Sequence, residues 1–184
     1  MYGPSPFKMP SGYSSYEREL KAIMAGEREF LNRYRKLAAS PERLAALDKL
    51  EDRPFLVIRA AGSHGFDLLA LRDSIALPIE VKCSGEPVIH FTASRGRNME
   101  QYAQLTKETL RSGLILLYAY RLMGVRDGDP WRLFSASNGD TKGIARFIAN
   151  RTPNLDSTEK GNQVLRWKDG MPLMDFLSMV LEFS

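Results

Sequence analysis

The run Ile75-Ala-Leu-Pro-Ile-Glu-Val-Lys-Cys83 constrains the fold more than any other part of the chain. Its odd positions, Ile75, Leu77, Ile79, Val81 and Cys83, make a continuous apolar face at a period of two, while Ala76, Pro78, Glu80 and Lys82 project from the other side. Only an extended strand makes use of that alternation. Upstream lies a second strand-length run, Phe66-Asp-Leu-Leu-Ala-Leu71, and between the two Asp73-Ser74 has the chemistry of a two-residue hairpin tip. With that tip Arg72 faces Ile75, and counting back along both arms brings Asp67 directly opposite Glu80. Side chains so opposed have Cβ atoms roughly 4.5–5.5 Å apart, where like charges repel. Two carboxyls there share a proton, reach into water or hold a cation between them. A divalent ion with oxygen ligands, Mg²⁺ or Mn²⁺, uses the geometry, and Lys82 beside it can position a water and stabilise phosphate charge. The bare acid-x-Lys spacing says little by itself, because Glu19-Leu-Lys21 and Asp140-Thr-Lys142 share it.

Around this hairpin the periodicity predicts a mixed α/β protein with helices flanking one central sheet. Apolar residues at three- and four-residue steps from Tyr16 to Leu37 predict one amphipathic helix, capped by Ser14 or Ser15. Ser40-Pro41 opens a shorter helix running through Leu50. Strands are predicted at Phe55–Ala60, in the hairpin, and briefly at Val88–Phe91. A helix from about Asn98 to Arg111 ends on Ser112-Gly113. Leu114–Tyr120 reads as a buried central strand, with Trp131–Phe134 as its neighbour across Asp127-Gly-Asp-Pro130. From Ser135 to Asp169 the pattern is ambiguous, with a helix around Gly143–Asn150 and a strand at Val164–Trp167, and Met171–Phe183 closes the chain as a helix.

At 184 residues the chain suits one domain, expected at 15–184 behind a flexible arm at 1–14 that contains three prolines. A content of 43% hydrophobic and 26% charged residues excludes wholesale disorder, and a single cysteine excludes an internal disulfide. No run approaches the ~20 apolar residues of a membrane span, and no secretory signal is evident, so a cytoplasmic protein is expected. The net charge of +4 admits a polyanionic partner without requiring one. The loop Ala60-Ala-Gly-Ser-His-Gly65 is built of small residues, so a substrate backbone can approach Asp67, and its N–H groups and Ser63 hydroxyl can meet phosphate; the alternative is a plain connecting turn.

The segments Gly62-Ser-His-Gly-Phe-Asp67 and Ile79-Glu-Val-Lys82, with Tyr16-Glu-Arg-Glu-Leu20 early in the chain and Glu100-Gln101 later, resemble the PD-(D/E)XK nuclease superfamily, and within it the archaeal Holliday junction resolvases. The resemblance implies a restriction-endonuclease-like fold and a Mg²⁺-dependent DNA endonuclease of recombination and repair that acts as a homodimer on four-way junctions. It implies metal binding by Asp67, Glu80 and Glu17, with Val81 in the metal set. Lys82 would orient water, Ser63 would lie near the scissile phosphate, and Gln101 would support the site. Two departures are visible. Gly26–Arg53 is longer than the family's usual link, which leaves Glu19 as a rival to Glu17, and Phe66 stands where the family usually has proline.

Other readings compete. The acids and lysine also admit a solvated salt-bridge network, which opposed acids flanked by core-like strands disfavour, a related nuclease with another substrate, or a non-catalytic nucleic-acid-binding module, against which the intact acids and lysine argue. Arg95, Arg97, Lys107, Arg111, Arg121 and Arg126 form either a phosphate-binding face or ordinary solvated surface. His64 and His90 lack zinc spacing. Cys83 falls on the core-facing parity, and Trp131 and Trp167 read as core or interface rather than base-stacking platforms.

Overall fold

The strand with the strict alternation lies at the centre of the molecule. In the computed structural model, which describes residues 13–60, 65–91, 97–136, 141–159 and 161–183, the chain forms helices α1 (Tyr13–Met24), α2 (Arg28–Leu37), α3 (Pro41–Asp52), α4 (Arg97–Arg111), α5 (Gly143–Arg151) and α6 (Leu173–Leu181). Its strands are β1 (Leu56–Arg59), β2 (Leu68–Arg72), β3 (Ile75–Ser84), β4 (Val88–His90), β5 (Leu117–Leu122), β6 (Trp131–Ser135), β7 (Asp156–Ser157), β8 (Gln163–Arg166) and β9 (Met171–Pro172). Six strands form one mixed sheet in the order β1-β2-β3-β5-β6-β9, with β3 and β5 parallel and the other neighbours antiparallel. This is the mixed α/β architecture that the element order predicts. The expected arm at 1–14 lies outside the described residues through residue 12.

The hairpin register is the one the two-residue tip requires. Arg72 pairs with Ile75 and Leu68 with Ile79, so Asp67, one residue before β2, comes into line with Glu80. Asp73 carries the sharpest part of the turn with φ of 51°, a conformation Asp tolerates better than most residues.

The apolar face of β3 packs under α1, α2, α3, α5 and α6. Ile75, Leu77 and Ile79 join Leu20, Ile23, Leu47, Leu50, Phe176 and Leu177 in the main core. The other face carries a smaller core in which Tyr118 and Tyr120 of β5 meet Phe91, Tyr102 and Leu105, the last two from α4. Fully burying each such aliphatic or aromatic side chain contributes about 1.5–3 kcal/mol, so both layers hold the sheet.

Several expectations need correction. The helix predicted over Ser15–Leu37 is two helices, broken where Gly26 turns left-handed at φ +73°. There the Gly26 N–H donates to Ile23 O and the Glu27 N–H to Ala22 O, which is a Schellman motif. Ser14 and Ser15 lie within the described helix, which is already formed at Tyr13, rather than at an N-cap position before it. The strand expected at Leu114–Tyr120 runs instead over Leu117–Leu122. The closing helix begins at Leu173, because Met171 and Pro172 pair with β6. The single sheet is joined by a second, three-stranded one in the order β4-β8-β7. Cys83 is only half-buried. The Ser40 cap, which accepts from the Arg43 N–H, and the Gly113 C-cap are as expected.

Candidate active site

Asp67 reaches the site because the chain enters β2 already paired. Its N–H donates to Ile79 O, its carbonyl accepts from the Ala60 N–H, and its Oδ2 accepts from the Val81 N–H at 2.7 Å. Two of these contacts run to β3 and the third to Ala60 after β1, and together they fix the carboxyl beside β3. Glu80 projects from β3 on the same side, beside Tyr118, its register partner in β5. Glu80 is only 4% exposed. Its Oε1 accepts from Lys82 Nζ at 2.7 Å and from Gln101 Nε2 at 3.4 Å, while Oε2 is buried and accepts no hydrogen bond.

Burial pushes the Glu80 carboxyl up to about 7, with Lys82 pulling it down and Asp67 pushing it up. Burial also raises the Asp67 carboxyl; the Val81 N–H opposes this, and Glu17 adds to it. The two carboxyls are close enough to share a proton, and Glu80 is the member that keeps it. Such a pair is costly in a dry pocket unless a cation or a proton neutralises it.

Glu17 stands on α1 with Oε2 2.5 Å from Arg59 Nη2, at the end of β1, and it adds negative charge near Asp67. Glu19 is engaged elsewhere, with Oε2 2.7 Å from Arg121 Nε. Gln101 bridges the approach loop and the site by donating also to Gly65 O at 3.1 Å. α4 presses close there, because a Cβ on Gly65 would lie 2.4 Å from Leu105 Cδ2. Ser63 and His64 lie outside the described residues, as does Arg95. His90 is exposed on β4. Lys107, Arg111 and Arg126 are exposed, whereas Arg121 is withdrawn from any phosphate-binding face by its pairing with Glu19. Trp131 is fully buried, and Trp167 donates to Pro130 O under the guanidinium of Arg132, so both serve packing.

No family model and no curated protein sequence matches this chain. Among solved structures it is similar to Hjc, a Holliday junction resolvase from the archaeal hyperthermophile Archaeoglobus fulgidus. The TM-score is 0.44 at 21% sequence identity, over 74% of this chain and 91% of that one. At that distance the chemistry has to be read from the side chains themselves.

Asp67 and Glu80 fit a hard divalent cation. Both are oxygen donors, they face each other, and Glu80 Oε2 is a buried acceptor with no donor. Among the described residues no group of three or more His, Cys, Asp or Glu side chains forms a complete metal cage. The pair therefore needs Glu17, released from Arg59, or water to fill an octahedral set. Val81 enters the site through its N–H, which fixes Asp67. Two contributors were not singled out in the sequence: Arg59, a lone charge at the end of an apolar strand, and Tyr118, whose ring helps dry the pocket behind Glu80.

Proposed function

We propose that this chain is a metal-dependent endodeoxyribonuclease that hydrolyses phosphodiester bonds in branched DNA, with the four-way junction as its substrate. The observation that carries the reading is the opposed carboxyl pair, Glu80 buried and Asp67 half-buried against it, with Lys82 alongside. Asp67, Glu80 and Glu17 would hold Mg²⁺, or Mn²⁺ in its place, with the backbone carbonyl oxygen of Val81 as the group that residue would add to the set. Bound there, the ion would supply a water of lowered pKa and neutralise charge at the scissile phosphate.

The chain's own groups account for the rest. The Val81 N–H and the two other backbone contacts keep Asp67 in one orientation. Lys82, which pairs with Glu80 Oε1 at 2.7 Å, would present its ammonium to the attacking water and the phosphate oxygens. Gln101 ties Gly65 to Glu80, and by the resemblance Ser63, two positions before Gly65 in the sequence, would lie near the scissile phosphate. The four-way junction, and the recombination and repair role that goes with it, come from the sequence resemblance to archaeal resolvases. A junction of near-twofold symmetry needs two cuts, which calls for a homodimer. No helix among the described residues is long and apolar enough to cross a membrane, and a cytoplasmic site of action completes the reading.

Nicking assays test it, using a synthetic mobile four-way junction, matched duplex, flap and single-stranded DNA with Mg²⁺ or Mn²⁺. Symmetric nicks near the crossover, reduced by Glu80→Ala and Lys82→Ala at least about 100-fold, are expected. Cleavage of another form alone would reassign the substrate. Binding of every form without cleavage would leave a nucleic-acid-binding module.

A further inference from the structure

We propose that Arg121 is a positioning residue for Glu17: from β5 it grips two residues of α1, Tyr16 and Glu19, and so fixes the turn of helix that presents Glu17 to the carboxyl pair. This rests on the metal-dependent reading above. Arg121 Nε donates to Glu19 Oε2 at 2.7 Å and Nη2 to Glu19 Oε1 at 3.5 Å, while its guanidinium carbon lies 4.7 Å from the Tyr16 ring centre. Residues three apart share a helix face, so Tyr16 and Glu19 make one two-point handle. Glu17, 100° round the helix from Tyr16, points instead to Arg59.

The grip is shielded. The Glu19 side chain is 2% exposed and that of Arg121 12%, so water and salt weaken the pair far less than a surface bridge. Net stability does not explain such a pair, because an apolar pair of similar volume usually serves a fold as well or better. A planar fork bonded at two points and stacked on a ring supplies direction, which packed methylenes lack. The strand side of the contact is equally well defined. Arg121 is in register with Cys83 of β3, and Tyr120 with Lys82, so one guanidinium links the helix carrying Glu17 to the strands carrying Glu80 and Lys82. A one-residue rotation of α1 would carry Glu17 off the site entirely.

The test is Mn²⁺ binding to the full chain, measured by calorimetry without DNA and alongside thermal melts. Four proteins are compared: wild type, Glu19→Met/Arg121→Met, Glu17→Gln, and the three substitutions combined. The apolar pair is expected to melt near wild type yet bind Mn²⁺ about tenfold more weakly, and the combined variant to bind within about twofold of Glu17→Gln alone, because coupled groups are non-additive. Tyr16→Leu, which removes only the stack, should weaken binding by about threefold and keeps the question open to refutation if the apolar pair fails to fold. Wild-type affinity in the folded pair variant overturns the proposal, as does a full additional loss in the combined variant. A wild type that takes up no Mn²⁺ removes the metal reading itself, and the positioning role with it.

Discussion

A carboxyl that is 4% exposed and faces another carboxyl resists ionising, and Glu80 shows the consequence by holding its proton up to about pH 7. The effect on stability has a definite sign. In the unfolded chain this group titrates near its ordinary 4.5, so between there and about 7 the native state binds more protons. Stability present below that window is lost as pH rises through it, by on the order of 3 kcal/mol. Thermal melts of metal-free protein from pH 5 to 8 should therefore fall for wild type, flatten for Glu80→Gln, and recover with saturating Mg²⁺. Identical pH profiles for the two proteins would remove the buried-carboxyl account. The opposition of Asp67 and Glu80 was legible from the hairpin alone. The burial of Glu80 was not, because it depends on Tyr118 and α4, which lie far along the chain.

At the scale of elements, the hairpin was readable because a period of two and a two-residue tip leave only one register that buries Ile75, Leu77 and Ile79 together. The break between α1 and α2 was harder to see, since the apolar steps from Ile23 and Met24 to Phe30 and Leu31 continue across it in nearly helical phase. Only Gly26 marks the place, and its reason is tertiary: a Cβ there would lie 2.9 Å from Leu50 O in α3. Gly26→Ala is expected to cost about 1–3 kcal/mol, from the left-handed φ and the close approach together. Urea unfolding reads this directly, and a loss below about 0.5 kcal/mol, the size of an ordinary surface change, would show that the turn accepts a side chain. The second sheet escaped the sequence reading for another reason. β4, β7 and β8 are two to four residues long, and β4 finds its partner in β8 74 to 78 positions away.

On the scale of the whole molecule, the sheet separates two unequal layers. The larger core of α1, α2, α3, α5 and α6 supplies the bulk of the burial, and α1 within it also carries Glu17. The thinner layer, with α4 and the tyrosines of β5, encloses the side from which Glu80 and Lys82 project. Glu80 is thereby held buried and Asp67 half-buried beside it, both fixed to paired backbone, which is the condition for a cation to be bound rather than merely attracted. Proton release on metal binding tests this most directly, by titrating Mn²⁺ calorimetrically into the protein in buffers of different ionisation enthalpy. The account predicts close to one proton released per ion at pH 6, falling toward none at pH 9, as the cation replaces the shared proton of Asp67 and Glu80. Binding with no proton release at pH 6, or undiminished binding by Asp67→Asn/Glu80→Gln, would contradict it.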